Sequence, residues 1–125
     1  MARDKIILIH VGTIFDNEPQ RNTAAPWGII YLGSYLISRG YPAVFMDTRL
    51  KDRNAFFADL SKELRGAALV GLSVTTPLTR EGLEITKFIK TKDPSIPVIW
   101  GGFHATLYPE STLNNKYIDF NLYSL

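Results

Sequence analysis

The chain has 125 residues, 46% hydrophobic and 21% charged, with a formal net charge of +2. That describes one globular domain (1–125), long enough to bury about two-thirds of its unfolded surface. The charge is too small to draw nucleic acid or an anionic membrane, and no apolar run nears the ~20 residues of a bilayer span. With no cysteine in the sequence, disulfides, thiolate metal sites and cysteine-ligated iron–sulfur clusters are excluded within it. Met1-Ala2-Arg3-Asp4-Lys5 leads into only a short apolar run without a signal-peptide core, so a cytoplasmic location is expected.

Lys5 to Val11 is a short apolar run with β-branched residues and reads as a buried first strand. Gly12 to Ala25 reads as a long polar loop. Pro26 suits the first turn of a helix carrying Ile29, Leu32, Gly33 and Leu36 at helical spacing, with Gly40 as its stop. Ala43 to Met46 is the second strand. Asn54 to Arg65 is a helix with Phe57, Leu60 and Leu64 on one face, closed by Gly66. Ala68 to Leu72 is the third strand. Thr79 to Thr91 is a helix with Ile85, Phe88 and Ile89 inward, broken by Asp93-Pro94. Pro97 to Trp100 is the fourth strand, and Pro109 opens a short fourth helix. Tyr117 to Tyr123 alternates, with Ile118, Phe120 and Leu122 on one side, as an edge strand would.

Alternating strands and helices imply an α/β domain with a parallel sheet and helices on both faces. Right-handed crossovers favour the flavodoxin-like, Rossmann-like strand order 2-1-3-4-5. Its switch point lies between the first and third strands, where ligands bind. The long first loop, Ser73–Thr76 and Gly101–Gly102 then border one crevice. Neither Gly-x-Gly-x-x-Gly nor Gly-Lys-Ser/Thr is present. Ser73 stands where a receiver domain needs an aspartate, and Thr13-Ile14-Phe15-Asp16-Asn17 is a poor flavodoxin phosphate loop.

Gly71-Leu72-Ser73-x-Thr75-Thr76-Pro77 followed by Gly101-Gly102 resembles the later part of the cobalamin (vitamin B12) binding-domain signature. Ala25-Pro26-Trp27-Gly28-Ile29-Ile30-Tyr31-Leu32-Gly33-Ser34-Tyr35-Leu36 and Gly101-Gly102-Phe103-His104-Ala105-Thr106-Leu107-Tyr108-Pro109-Glu110 are most similar to the amino-terminal domains of cobalamin-dependent radical S-adenosylmethionine (SAM) enzymes. The resemblance implies a slot for the dimethylbenzimidazole tail of cobalamin, displaced from cobalt. It implies cofactor contacts at Thr13, at Ser73, Val74, Thr75 and Thr76, and at Gly101, Gly102, Phe103 and His104. A hydroxyl there can bond a tail nitrogen, and glycines leave room for a flat ring. On this reading a branched side chain at Gly102 fills the slot and leaves the fold intact.

The family's cobalt-binding Asp-x-His-x-x-Gly is missing, since residues 12–28 contain no histidine. The implied state is base-off and histidine-off, with no residue of this chain binding the metal. The implied role is to hold cobalamin for methyl transfer or radical chemistry, with SAM and the 4Fe-4S cluster residing in a partner radical SAM domain. The chain alone is then not catalytic and reads as a fragment, a standalone carrier or a degenerate relative. The alternative is a non-catalytic flavodoxin-like module for a flavin, a nucleotide or a protein.

Each of these residues also has a purely structural use. Ser73 and Thr75 could cap the next helix. Gly101 and Gly102 could serve close packing. His104 equally suits a structural bond; His10, ending the first strand, could approach cobalt, but a lone histidine in an apolar strand is ordinarily a satisfied core residue; and Trp100, Tyr31 and Tyr35 read as packing residues.

Overall fold

The computed structural model describes residues 3–14 and 24–122. Five strands form one parallel sheet in the order 2-1-3-4-5, the flavodoxin-like order. They are β1 (Lys5–His10), β2 (Ala43–Asp47), β3 (Ala67–Ser73), β4 (Val98–Gly101) and β5 (Phe120–Asn121). The helices are α1 (Trp27–Ser38), α2 (Arg53–Glu63), α3 (Thr79–Lys92), α4 (Phe103–Leu107) and α5 (Pro109–Leu113), with a 3₁₀ turn at Thr76–Leu78.

Strand parity divides the apolar residues between two faces. Ile7, Ile9, Val70, Leu72, Val98 and Trp100 point to one side, into a core with Phe56, Leu60 and Leu64 of the α2 region and Ile85 and Ile89 of α3. Ile6 and Leu8 point to the other side, against Ile29 of α1, with Leu36 and Leu69 at the margin. The chain steps one way from β1 to β2 and the other way from β2 through β5. Right-handed crossovers therefore put α1 on one face and α2 and α3 on the other. Trp100, 1% exposed, anchors the larger core. Its Nε1 donates to Thr86 Oγ1 at 3.0 Å, and Thr86 donates to the Gly82 carbonyl at 2.8 Å.

Several boundaries move for identifiable reasons. α2 begins at Arg53 because Asp52 Oδ1 accepts the Ala55 N–H at 2.8 Å, an N-cap one residue earlier than hydrophobic spacing suggests. Phe56, rather than Phe57, is its buried aromatic. Gly40 and Gly66 take positive φ where α1 and α2 end. Of the expected strand 117–123, only Phe120–Asn121 pairs, and Tyr123 lies outside the described residues. Ile118 sits in the preceding turn and is buried, whereas Phe120 and Leu122 are exposed at 56% and 59%. Tyr31 and Tyr35 do not pack inward; both stand exposed on α1, with the Arg39 guanidinium over the Tyr35 ring. No helix among the described residues is long and apolar enough to cross a membrane.

Candidate functional site

The carboxyl ends of the strands meet in one row. Asp47 pairs with His10, His10 with Ser73, and Ser73 with Gly101. Lateral neighbours in a parallel sheet point to the same face, so Asp47, His10 and Ser73 all face the α1 side. This is the switch point between β1 and β3, where α1 leaves one face and α3 the other.

Two connected cavities open there. The larger, about 750 Å³, lies over the strand ends and is lined by His10, Ala25–Gly28, Ser73, Thr75, Gly102, Thr106 and Leu122. The smaller, about 220 Å³, runs down between α1 and the sheet. Leu8, Ile29, Leu32 and Ile99 give it apolar walls, and Gly28 and Gly71 add no bulk. Gly28, Ser73 and Gly102 line both, so the small cavity is a slot opening into the large one. A dry cavity of about 150 Å³ takes a benzene ring; this slot has room for more.

The hydroxyls at the mouth are not used for capping. Thr75 precedes the 3₁₀ turn without a side-chain cap bond. Ser73 Oγ makes no hydrogen bond to any described residue. Each has donor and acceptor capacity left for a ligand. α1 also starts without a side-chain cap, at Pro26; the Trp27 N–H turns back to Ala25 O, and the next amide, Gly28 N–H, lies beside the cavity.

His10, at the end of the apolar first strand, lines the large cavity. Burial, and then the positive charge of Arg49, push its pKa below the usual imidazole value, partly offset by Asp47. Burial and Arg49 thus both favour the neutral ring. Burial pushes the Asp47 carboxyl up, but the hydrogen bonds and charge of Arg49 outweigh it and hold the group below the usual carboxylate range.

The other expected site residues separate into groups. Ser73, Thr75 and Gly102 line the cavities. Gly101 sits in the same strand-end row as Ser73. Val74 is fully buried in the core and serves through its backbone, its N–H donating to Gly101 O and its carbonyl accepting from His104 N, both at 3.0 Å. His104 is buried away from the cavity, its ring beside those of Trp100 and Tyr108 and its Nδ1 3.2 Å from Thr76 Oγ1. Thr76 is engaged by that contact. Thr13 is exposed just past β1, and the Phe103 side chain lies outside the described residues.

Gly102 corrects one expectation. Its φ is +92°, and a Cβ there would lie 3.0 Å from both Val74 N and Val74 O. A side chain at Gly102 strains the backbone first and fills a slot second. Gly71 is the better plug: a Cβ there meets only Leu8 Cδ2, at 3.2 Å, on the slot wall.

No family model matches this chain, and no curated protein matches it in sequence. Among the described residues, no group of three or more His, Asp or Glu side chains is placed to hold a metal ion.

Proposed function

We propose that this chain is a cobalamin-binding domain that takes the cofactor base-off and histidine-off. The observation that carries the reading is the apolar 220 Å³ slot beside Ser73, opening into the 750 Å³ cavity at the switch point. The slot suits a flat bicyclic tail, between Leu8 and Ile99 on the sheet and Ile29 and Leu32 on α1. Ser73 Oγ, at its mouth and with no hydrogen bond among the described residues, is the partner for a tail nitrogen. The uncapped amino end of α1 is the partner for the phosphodiester that links tail to corrin. Thr75 and His10 line the wider cavity where the macrocycle would lie.

When bound, cobalamin supplies the metal-centred chemistry, methyl transfer or radical chemistry; the protein supplies position and surroundings. The sequence has no cysteine, so the iron–sulfur cluster and the SAM site belong to a partner radical SAM domain, and this chain by itself binds without turnover. We place the domain in the cytoplasm, with neither nucleic acid nor membrane as partner.

The test is to mix the protein with hydroxocobalamin, desalt it and record the visible spectrum. Stoichiometric retention with a base-off spectrum is expected. Ser73→Ala should weaken retention by about 0.5–1.5 kcal/mol, the worth of one hydrogen bond. A colourless protein after desalting overturns the proposal. Retained flavin absorbance instead supports a flavodoxin-like flavin module.

A further inference from the structure

The turn after β2 reaches both sides of the gap between β1 and α1. Thr48, fully buried, accepts the Gly12 N–H on its Oγ1 at 2.8 Å, just past β1. Arg49 grips both oxygens of Asp47 through Nε and Nη2, at 2.9 and 2.8 Å. The same Nη2 donates to the carbonyl of Ala24, also at 2.8 Å. The two side chains of the ion pair are only 14% and 5% exposed, so water screens it far less than a surface pair. The Arg49 stem lies against Gly12, where a Cβ would come within 2.5 Å of Arg49 Cγ.

Ala24 stands two residues before Pro26, where α1 begins, and Ala25–Gly28 form one wall of the larger cavity. Among the described residues, the other hydrogen bonds of Ala25 and Pro26 run within the α1 segment itself, to Trp27 N and Ile30 N. Among the described residues, the bond from Arg49 is thus the hydrogen bond that ties the entry of α1 to the sheet edge. A planar guanidinium can hold a carboxylate bidentately and still reach a third acceptor; an ammonium on a flexible stem cannot reproduce that geometry.

We propose that Arg49 is a positioning residue: fixed by Asp47, it holds the entry of α1 and so sets the Ala25–Gly28 wall of the ligand cavity. The inference rests on reading that cavity as the cobalamin site, and its test separates the two claims. Hydrogen–deuterium exchange is followed peptide by peptide, and hydroxocobalamin affinity by visible titration, in the wild type, Arg49→Ala and Arg49→Lys. Faster exchange confined to residues 24–29, with α3 peptides unchanged, and affinity about tenfold weaker or more are expected for Arg49→Ala, as for loss of one charge-assisted hydrogen bond. Arg49→Lys should rescue neither readout; it also serves as the milder variant if Arg49→Ala does not fold. Unchanged exchange at residues 24–29 overturns the proposal, as does exchange rising equally throughout the sheet, or full rescue by lysine. If the wild type binds no cobalamin, the ligand reading fails while the exchange measurement still decides the clamp.

Discussion

The two faces of this sheet are built differently. On one, α2 and α3 cover a continuous core that includes Phe56, Leu60, Ile85, Ile89 and the fully enclosed Trp100. On the other, among the described residues α1 covers β1 and β2, three residues (Ile6, Leu8, Ile29) are buried together, Phe120 stands open next to Ile99, and Leu122 stands open on the larger cavity. The first face holds the fold together. The second leaves apolar surface, the hydroxyls of Ser73 and Thr75 and a helix end without a side-chain cap around a cavity, which are the ingredients of a ligand site. Stability and binding are therefore separable here by face.

The sharpest way to break that division is to cut each face in turn. Trp100→Ala should destabilise by about 3–5 kcal/mol, through lost burial and a cavity in a packed core. Leu122→Ala, on the open face, should stay within about 0.5 kcal/mol in stability yet lower cobalamin retention, because Leu122 lines the larger cavity. Urea midpoints and desalting assays measure both. A large loss of stability from Leu122→Ala would show that the open face carries the fold as well.

The two glycines at the slot sharpen the comparison further. Gly102→Val should cost about 1–3 kcal/mol or more from backbone strain at its positive φ, with binding lost as a consequence. Gly71→Val should keep the circular dichroism spectrum, since a β-branched residue suits a strand, but lower the melting temperature, since its Cβ presses on the buried Leu8 Cδ2 at 3.2 Å. It should nevertheless abolish cobalamin retention by narrowing the slot. Retention by folded Gly71→Val would place the ligand elsewhere.

How much of this was legible in the sequence follows from the range of the interactions. The strands and helices came from local signals (continuous apolar runs, Gly40 and Gly66 after helices, Asp93-Pro94 as a break), and their order from the handedness of the crossovers. The strand-end row containing Ser73 and Gly101 followed from topology. The opposite fates of Ile118 and Phe120 did not, because one lies in a turn and the other in a two-residue strand, and periodicity treats them alike. His104 looked the same whether it faced the cavity or packed beside Trp100, since a histidine in the first turn of the helix after β4 has one local pattern in either case. The Arg49–Ala24 tie was hidden because it depends on a partner far along the chain.

The smallest expected effect is on pH dependence, and it belongs to the open face. His10 has a folded-state pKa below the usual value of about 6.5, so between the two values the unfolded chain binds the proton first. Its contribution to stability is complete above about pH 6.5 and declines as pH falls toward the lowered value. Asp47 is depressed below about 3.9; its contribution is complete above that pH and is lost as pH falls through the folded value. Urea midpoints should therefore fall modestly from pH 7 to pH 5, less so in His10→Ala, and fall again below about pH 4, less so in Asp47→Asn. Identical profiles in the wild type and both variants would contradict the burial and pairing described for these groups.

The central claim is that the open face receives cobalamin with its tail off the metal and no histidine in its place. Electron paramagnetic resonance of the Co(II) form retained by the protein tests this most directly, because an axial nitrogen splits the cobalt lines. Retained Co(II) cobalamin without nitrogen splitting, unchanged in His10→Ala and His104→Ala, is the predicted result. Splitting in the wild type contradicts it: if it persists in both variants the tail has stayed on cobalt, and if it disappears in His10→Ala the histidine lining the cavity is the ligand.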